Sequence, residues 1–181
     1  MAAIGSVPPR HPGFKAAVFA LLACNAAIYL FTGALRQALD SVAWLTLLAL
    51  FALETGFADR FRANNMARAI HGVRLVAAAA VCAAAVGYVK QREWLDTVNS
   101  GLWIAVVALL EFEVRFPGTV ARRRAWFAAT AMALYGGLAV LVVVWAWYGE
   151  WFNAYDALLW LVAFAMIEMD VLQTSCEEIA I

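Results

Sequence analysis

Five acidic residues lie near the ends of strongly apolar stretches in this 181-residue chain. They are Glu54, Glu111, Glu113, Glu168 and Asp170. A charged side chain at membrane depth is costly, and such groups usually face a bundle interior or a water-filled cavity. Carboxylates in that position commonly bind or relay a proton or a cation. The five acids therefore predict an ion pathway as one interpretation.

Each of three stretches repeats the same polar and aromatic residues before its acid. An Asp or Asn is followed by Trp four residues later and by an acid 14 residues later. The three series are Asp40, Trp44 and Glu54; Asn99, Trp103 and Glu113; and Asp156, Trp160 and Asp170. The likeness is closest between EWLDTVNSGLW (93–103) and EWFNAYDALLW (150–160), in which Asp and Asn trade places at two positions. The series are offset by 59 and then 57 residues, which predicts three copies of one unit.

The composition predicts that these units lie in a membrane. Hydrophobic residues make up 66% of the chain and charged residues 14%, with a mean hydropathy of +0.79. Soluble domains carry about 25% charged residues. Ala125–Gly149 has no charged residue in 25 positions, and about 20 apolar residues suffice for a helix to cross a bilayer. The chain is therefore expected to be an integral membrane protein.

Apolar runs between charge clusters predict six transmembrane helices, at about 15–34, 40–58, 73–90, 98–116, 125–148 and 155–172. Paired in order, they form three helical hairpins over residues 14–59, 72–116 and 125–172 of a single membrane domain, 1–181. All three hairpins enter the membrane in the same sense, so they are parallel repeats related by an axis along the membrane normal. The predicted fold is an all-α, pseudo-threefold bundle.

The distribution of basic residues predicts the orientation. One side of the predicted membrane carries only Arg36, Lys90 and Arg92. The other side carries the remaining ten, which are Arg10, Lys15, Arg60, Arg62, Arg68, Arg74, Arg115, Arg122, Arg123 and Arg124. This asymmetry places both termini in the cytoplasm. High alanine content and compact loops favour a bacterial inner membrane.

The repeated residues also have structural interpretations. Asp40, Asn99 and Asp156 fall where the even-numbered helices are predicted to begin, so we expect them to be N-caps. Trp44, Trp103 and Trp160 are expected in an interfacial aromatic belt or in packing, with a ligand or pore role as the alternative. Asn25, at mid-depth, is expected to form an interhelical hydrogen bond.

The five acids have a structural interpretation as well. Glu111 stands four residues before Arg115, which is the spacing of an ion pair within a helix. Arginines in the adjoining loops are within reach of the other acids. Salt bridges that fix hairpin packing would then account for these carboxylates without any ion movement.

Several classes of chemistry are not indicated by the sequence. No phosphate-binding glycine loop, zinc-protease helix or cysteine pair at metal spacing occurs, and His11 and His71 both lie outside the predicted spans. We therefore expect no catalytic residue, no cofactor and no metal ion, and hence no enzyme. A formal net charge of +0 gives no indication of a nucleic-acid partner.

Two functions remain open from the sequence. The first is a small channel or transporter that moves a proton or cation along the acids at the cytoplasmic end of the even-numbered helices. The second is a non-catalytic structural or assembly subunit of a larger membrane complex. The expected partners are membrane lipid, a proton or cation, and other membrane subunits or further copies of the chain.

Overall fold

The computed structural model describes residues 12–32, 35–56 and 64–179, except for the side chains of 12, 15, 51–56, 64–67, 114, 117 and 167–179. The described residues form seven helices and no strand. They are α1 (Pro12–Phe31), α2 (Leu35–Gly56), α3 (Asn64–Gln91), α4 (Trp94–Arg115), α5 (Pro117–Arg122), α6 (Arg124–Trp147) and α7 (Trp151–Ile179). The predicted all-helical architecture is confirmed.

Three of these helices are long and apolar enough to cross a membrane. These segments are Arg68–Gln91, Trp94–Glu113 and Arg124–Trp147. Two shorter apolar segments, Ala16–Phe31 and Trp151–Met166, lie in α1 and α7. A helix satisfies its backbone hydrogen bonds internally, which is required in the hydrocarbon core of a bilayer. The chain is therefore a membrane protein.

Proline residues mark the starts of two helices. Pro12 is the first residue of α1, and Pro117 is the first residue of α5. Proline suits this position because its fixed φ angle matches the helix and its missing N–H would have no partner there. The predicted spans contain no proline, and the long helices between these points run without interruption.

The turns after α3 and α6 have the same hydrogen bonds, 57 residues apart. Glu93 N donates to Tyr88 O at 3.0 Å, and Glu150 N donates to Trp145 O at 2.9 Å. The residue before each glutamate has a positive φ angle, 60° at Arg92 and 80° at Gly149. This is the Schellman arrangement, in which a left-handed residue ends a helix and reverses the chain.

The six long helices contact one another in a closed ring. Going around it, α1 contacts α2, α2 contacts α3, α3 contacts α4, α4 contacts α6, α6 contacts α7, and α7 contacts α1. The helices α2, α4 and α7 therefore alternate with α1, α3 and α6. Within the described residues, the backbones of α2, α4 and α7 do not contact each other. Their side chains fill the centre of the ring instead.

A single buried cluster of side chains forms the centre of this ring. It takes Leu22 from α1, Val81 from α3 and Leu138 from α6. Its largest members are aromatic residues of α2, α4 and α7, which are Trp44, Trp103, Trp160 and Phe164. Hydrophobic burial between membrane helices adds little because lipid tails are also apolar, so close packing stabilises such a cluster.

Candidate functional site

The repeated Asp and Asn residues are not helix caps. α2 begins at Leu35, α4 at Trp94 and α7 at Trp151, so Asp40, Asn99 and Asp156 each lie in the second turn. An N-cap side chain serves the free amides of the first turn, and the residue at the cap of α4 is Glu93. The capping role predicted from the sequence is therefore incorrect. The helices begin about one turn earlier than predicted, and these side chains face the bundle.

The repeated tryptophans are not part of an exposed belt. Trp44 is 8% exposed, Trp103 5% and Trp160 7%. The ring centroids of Trp44 and Trp103 are 6.4 Å apart, and those of Trp103 and Phe164 are 4.6 Å apart. The packing interpretation is confirmed, since these rings form an aromatic layer across the centre of the ring of helices.

A partly enclosed cavity of about 50 Å³ lies where α2, α4 and α7 begin, which we call the repeat end of the bundle. Most of its wall consists of four sets of three residues, and the members of each set are offset by 59 and 57 residues. The even-numbered positions give Gln37, Asp96 and Asn153; Asp40, Asn99 and Asp156; and Trp44, Trp103 and Trp160. The neighbouring helices give Tyr29, Tyr88 and Trp145. This volume holds about three to five water molecules.

Three carboxylates share this cavity. They are Asp40 from α2, Asp96 from α4 and Asp156 from α7. Two further acids, Glu93 and Glu150, are close enough to act electrostatically on Asp96. Concentrated negative charge at a low-dielectric wall raises the local concentration of cations. The cavity therefore favours a cation.

The carboxylate of Asp156 is held by an amide from the adjacent helix. Asn25 of α1 donates from its Nδ2 to Asp156 Oδ1 at 2.8 Å, which confirms the interhelical hydrogen bond expected for Asn25. One turn later in α1, the Tyr29 hydroxyl donates to Asn153 Oδ1 at 3.1 Å. The positions offset from Asn25 by 59 and 57 residues are Ala84 in α3 and Leu141 in α6. Neither of these side chains can donate.

Three polar atoms in the cavity wall have no hydrogen-bond partner in the protein. They are Asp40 Oδ1, Asn99 Oδ1 and Trp145 Nε1. The Trp44 indole and the Tyr88 phenol face the Asp40 carboxyl group as donors, which leaves Oδ1 as its unpaired atom. An unpaired buried polar atom costs about 1–3 kcal/mol, so such atoms indicate water or a ligand.

Arg36 is the cation paired beside this site. Its guanidinium forms a salt bridge with Glu93 and lies over the ring of Tyr88, with 5.5 Å from Cζ to the centroid. The arginine stem crosses Gly87, where an added Cβ would come within 3.0 Å of it. The pair therefore links α2 to the turn between α3 and α4. It also neutralises one of the two acids next to Asp96.

The acids predicted as a pathway lie at the opposite end of α2, α4 and α7. Glu111 forms an ion pair with Arg115, whose Nε donates to Glu111 Oε1 at 2.7 Å, as predicted from their spacing. Glu113 also has an interaction partner. The side chains of Glu54, Glu168 and Asp170 lie outside the described residues. Convergence of the five acids therefore stays a prediction.

Sequence reasoning missed half of this site. Asp96 and Asn153 occupy the positions where Asp and Asn trade places, and that exchange was the available signal. Tyr29, Tyr88 and Trp145 also keep the 59- and 57-residue offsets, but on helices for which no repeated series had been recognised. Among the described residues, no three His, Cys, Asp or Glu side chains are grouped to hold a metal ion.

Comparisons with protein families, with curated proteins and with solved structures found no match to this chain. The site must therefore be interpreted from its own geometry.

Proposed function

We propose that this protein is a small membrane channel or transporter that binds a cation or proton in the cavity at its repeat end. The observation that carries the proposal is the convergence of Asp40, Asp96 and Asp156, from three different helices, beside acceptor atoms that have no partner. Buried carboxylates within a membrane bundle are costly and commonly mark an ion or proton path. The role is binding and movement, without covalent chemistry.

The architecture behind this function is three parallel hairpins, α1–α2, α3–α4 and α6–α7, in six membrane spans. The four sets of cavity residues at offsets of 59 and 57 residues support that repeat, as do the matching turns after α3 and α6. The cavity and the acids around Glu113 are about 21 Å apart along one helix, since 14 residues rise about 1.5 Å each. The acids at the far end would then form the second station of the path.

Flux through purified protein in liposomes tests this proposal. Wild-type protein should carry proton or monovalent-cation current. Asp40→Asn and Asp156→Asn should lower it at least tenfold if the cavity is the binding site. Glu168→Gln and Asp170→Asn test the far station separately. Trp94→Phe, an exposed tryptophan beside the site, is the matched control and should retain the wild-type rate.

The second candidate is a structural or assembly subunit of a membrane complex. The Glu111–Arg115 ion pair favours it, because a paired carboxylate is not free to carry an ion. Beneath the cavity the described core is also apolar and closed by the aromatic layer. Absence of flux, together with purification at a fixed ratio to other membrane proteins, would select this function. We place the protein in a bacterial inner membrane, with both termini in the cytoplasm.

A further inference from the structure

We infer that the ligand of the cavity is a small ammonium-type cation, the ammonium ion or a primary alkylammonium of one or two carbons, in preference to an alkali metal ion. This inference rests on the proposed function and names the class of cation. It depends on the kind of atom that the wall leaves unpaired, on the composition of the wall and on its size.

The unpaired acceptors call for a ligand that donates hydrogen bonds. Asp40 Oδ1 and Asn99 Oδ1 are buried on different helices and have no donor in the protein. The reason lies in the adjacent helices, where Ala84 and Leu141 stand in place of the Asn25 that serves Asp156. An ammonium nitrogen supplies several N–H donors that point in different directions. One such group can therefore serve both acceptors.

A second observation is independent of the acids. Trp145 is 3% exposed, lines the cavity and has an indole Nε1 without any partner. An indole N–H can only donate, so it requires an acceptor that the protein does not provide. The cavity has room for a cation of one or two heavy atoms together with a water molecule, which would accept from Trp145.

The wall suits an ammonium group better than a hard metal ion. Hard cations such as calcium bind through a shell of six to eight oxygens. The described residues contain no cluster of three metal-ligating side chains, and six of the residues lining the cavity are aromatic. Aromatic rings attract ammonium groups when the cation lies over the ring. Charge attracts any cation here, while the rings and the unpaired acceptors distinguish among cations.

Thermal unfolding of the purified protein in detergent tests the inference, because a ligand that binds the folded state raises the unfolding midpoint. The probes are the chlorides of ammonium, methylammonium, potassium and tetramethylammonium at equal ionic strength. Ammonium and methylammonium should give apparent Kd values at least tenfold below that of potassium, an ion of similar size. Tetramethylammonium should give no shift, since it lacks N–H groups and has five heavy atoms.

Two variants connect the result to the cavity. Asn99→Leu removes one unpaired acceptor and should weaken ammonium binding at least tenfold. Trp145→Phe removes only the unpaired donor, so the fold should be kept and ammonium affinity should fall about threefold. Trp126→Phe is its matched control, an exposed tryptophan on the same helix, and should bind as wild type does.

The outcomes separate this inference from the proposed function. Equal affinity for potassium and ammonium would overturn the ammonium assignment and leave cation binding in place. A shift with tetramethylammonium as large as that with methylammonium would also overturn it, because hydrogen bonding would not be the basis of recognition. No shift with any cation would contradict both.

Discussion

Single residues in the cavity show that each hairpin contributes one acid and one amide. α2 supplies Gln37 and Asp40, α4 supplies Asp96 and Asn99, and the list closes with Asn153 and Asp156 of α7. This explains why Asp and Asn trade places between the two closest copies. Six carboxylates in so small a space would repel one another strongly. One acid for each hairpin keeps a negative site while limiting that repulsion.

The Asn25–Asp156 hydrogen bond should be a measurable link between α1 and α7. Asn25→Ala is expected to lower the free energy of unfolding by about 1 kcal/mol, because polar contacts between membrane helices are worth about 0.6 kcal/mol on average and at most about 1.7. A double-mutant cycle with Asp156→Ala measures the coupling. Thr46→Val is the control, since the Thr46 hydroxyl bonds only to Val42 O of its own helix. Additive effects of the two cavity substitutions would contradict the assignment.

Among the secondary-structure elements, the two Schellman turns repeat in backbone geometry but differ in residue type. Gly149 adopts its positive φ angle without steric cost. Arg92 holds a similar angle with a Cβ atom, which costs about 1–2 kcal/mol. The same turn is thus built once from a suitable residue and once from an unsuitable one.

Exchanging these residue types should change stability in opposite directions. Arg92→Gly is expected to raise the free energy of unfolding by up to about 1 kcal/mol, because it removes the left-handed strain. Gly149→Ala should lower it by about 1 kcal/mol for the converse reason. Unfolding midpoints in one detergent measure both. A decrease for Arg92→Gly would mean that the arginine side chain contributes a contact worth more than the strain.

The sequence predicted the elements better than their ends. Uncharged runs such as Ala125–Gly149 predict a helix because no other structure satisfies the backbone in lipid. The starts of α2, α4 and α7 were predicted about one turn late, because Asp and Asn in an apolar run resemble caps. Whether a polar residue caps a helix or faces a cavity depends on the neighbouring helix, which a single sequence does not show.

For the whole molecule, the ring of helices accounts for what the sequence could and could not predict about the site. The acid, amide and tryptophan repeat identified three faces, but the fourth set came from Tyr29, Tyr88 and Trp145 on the intervening helices. Their role follows from ring closure, in which α1 contacts both α2 and α7. The repeated series pointed to the correct helices, while the acid-rich end was chosen over the end where the cavity lies.

The orientation of the whole molecule can be tested by labelling. In a variant with Cys24, Cys82 and Cys176 replaced, a single cysteine at Arg92 should react with a membrane-impermeant maleimide added to intact cells. A cysteine at Gly118 should react only after the membrane is opened, because the arginines around it favour the cytoplasm. Both positions are exposed, so reactivity reports the side of the membrane. The reverse pattern would invert the proposed topology.

The eight tryptophans divide into two spectroscopic populations. Trp44, Trp103, Trp145 and Trp160 are buried and line the cavity, whereas Trp94, Trp126, Trp147 and Trp151 are exposed. Brominated lipids should quench the fluorescence of the exposed group and spare the buried one. The residual emission would then report on the cavity alone, so the protein contains an intrinsic optical probe of whatever occupies it.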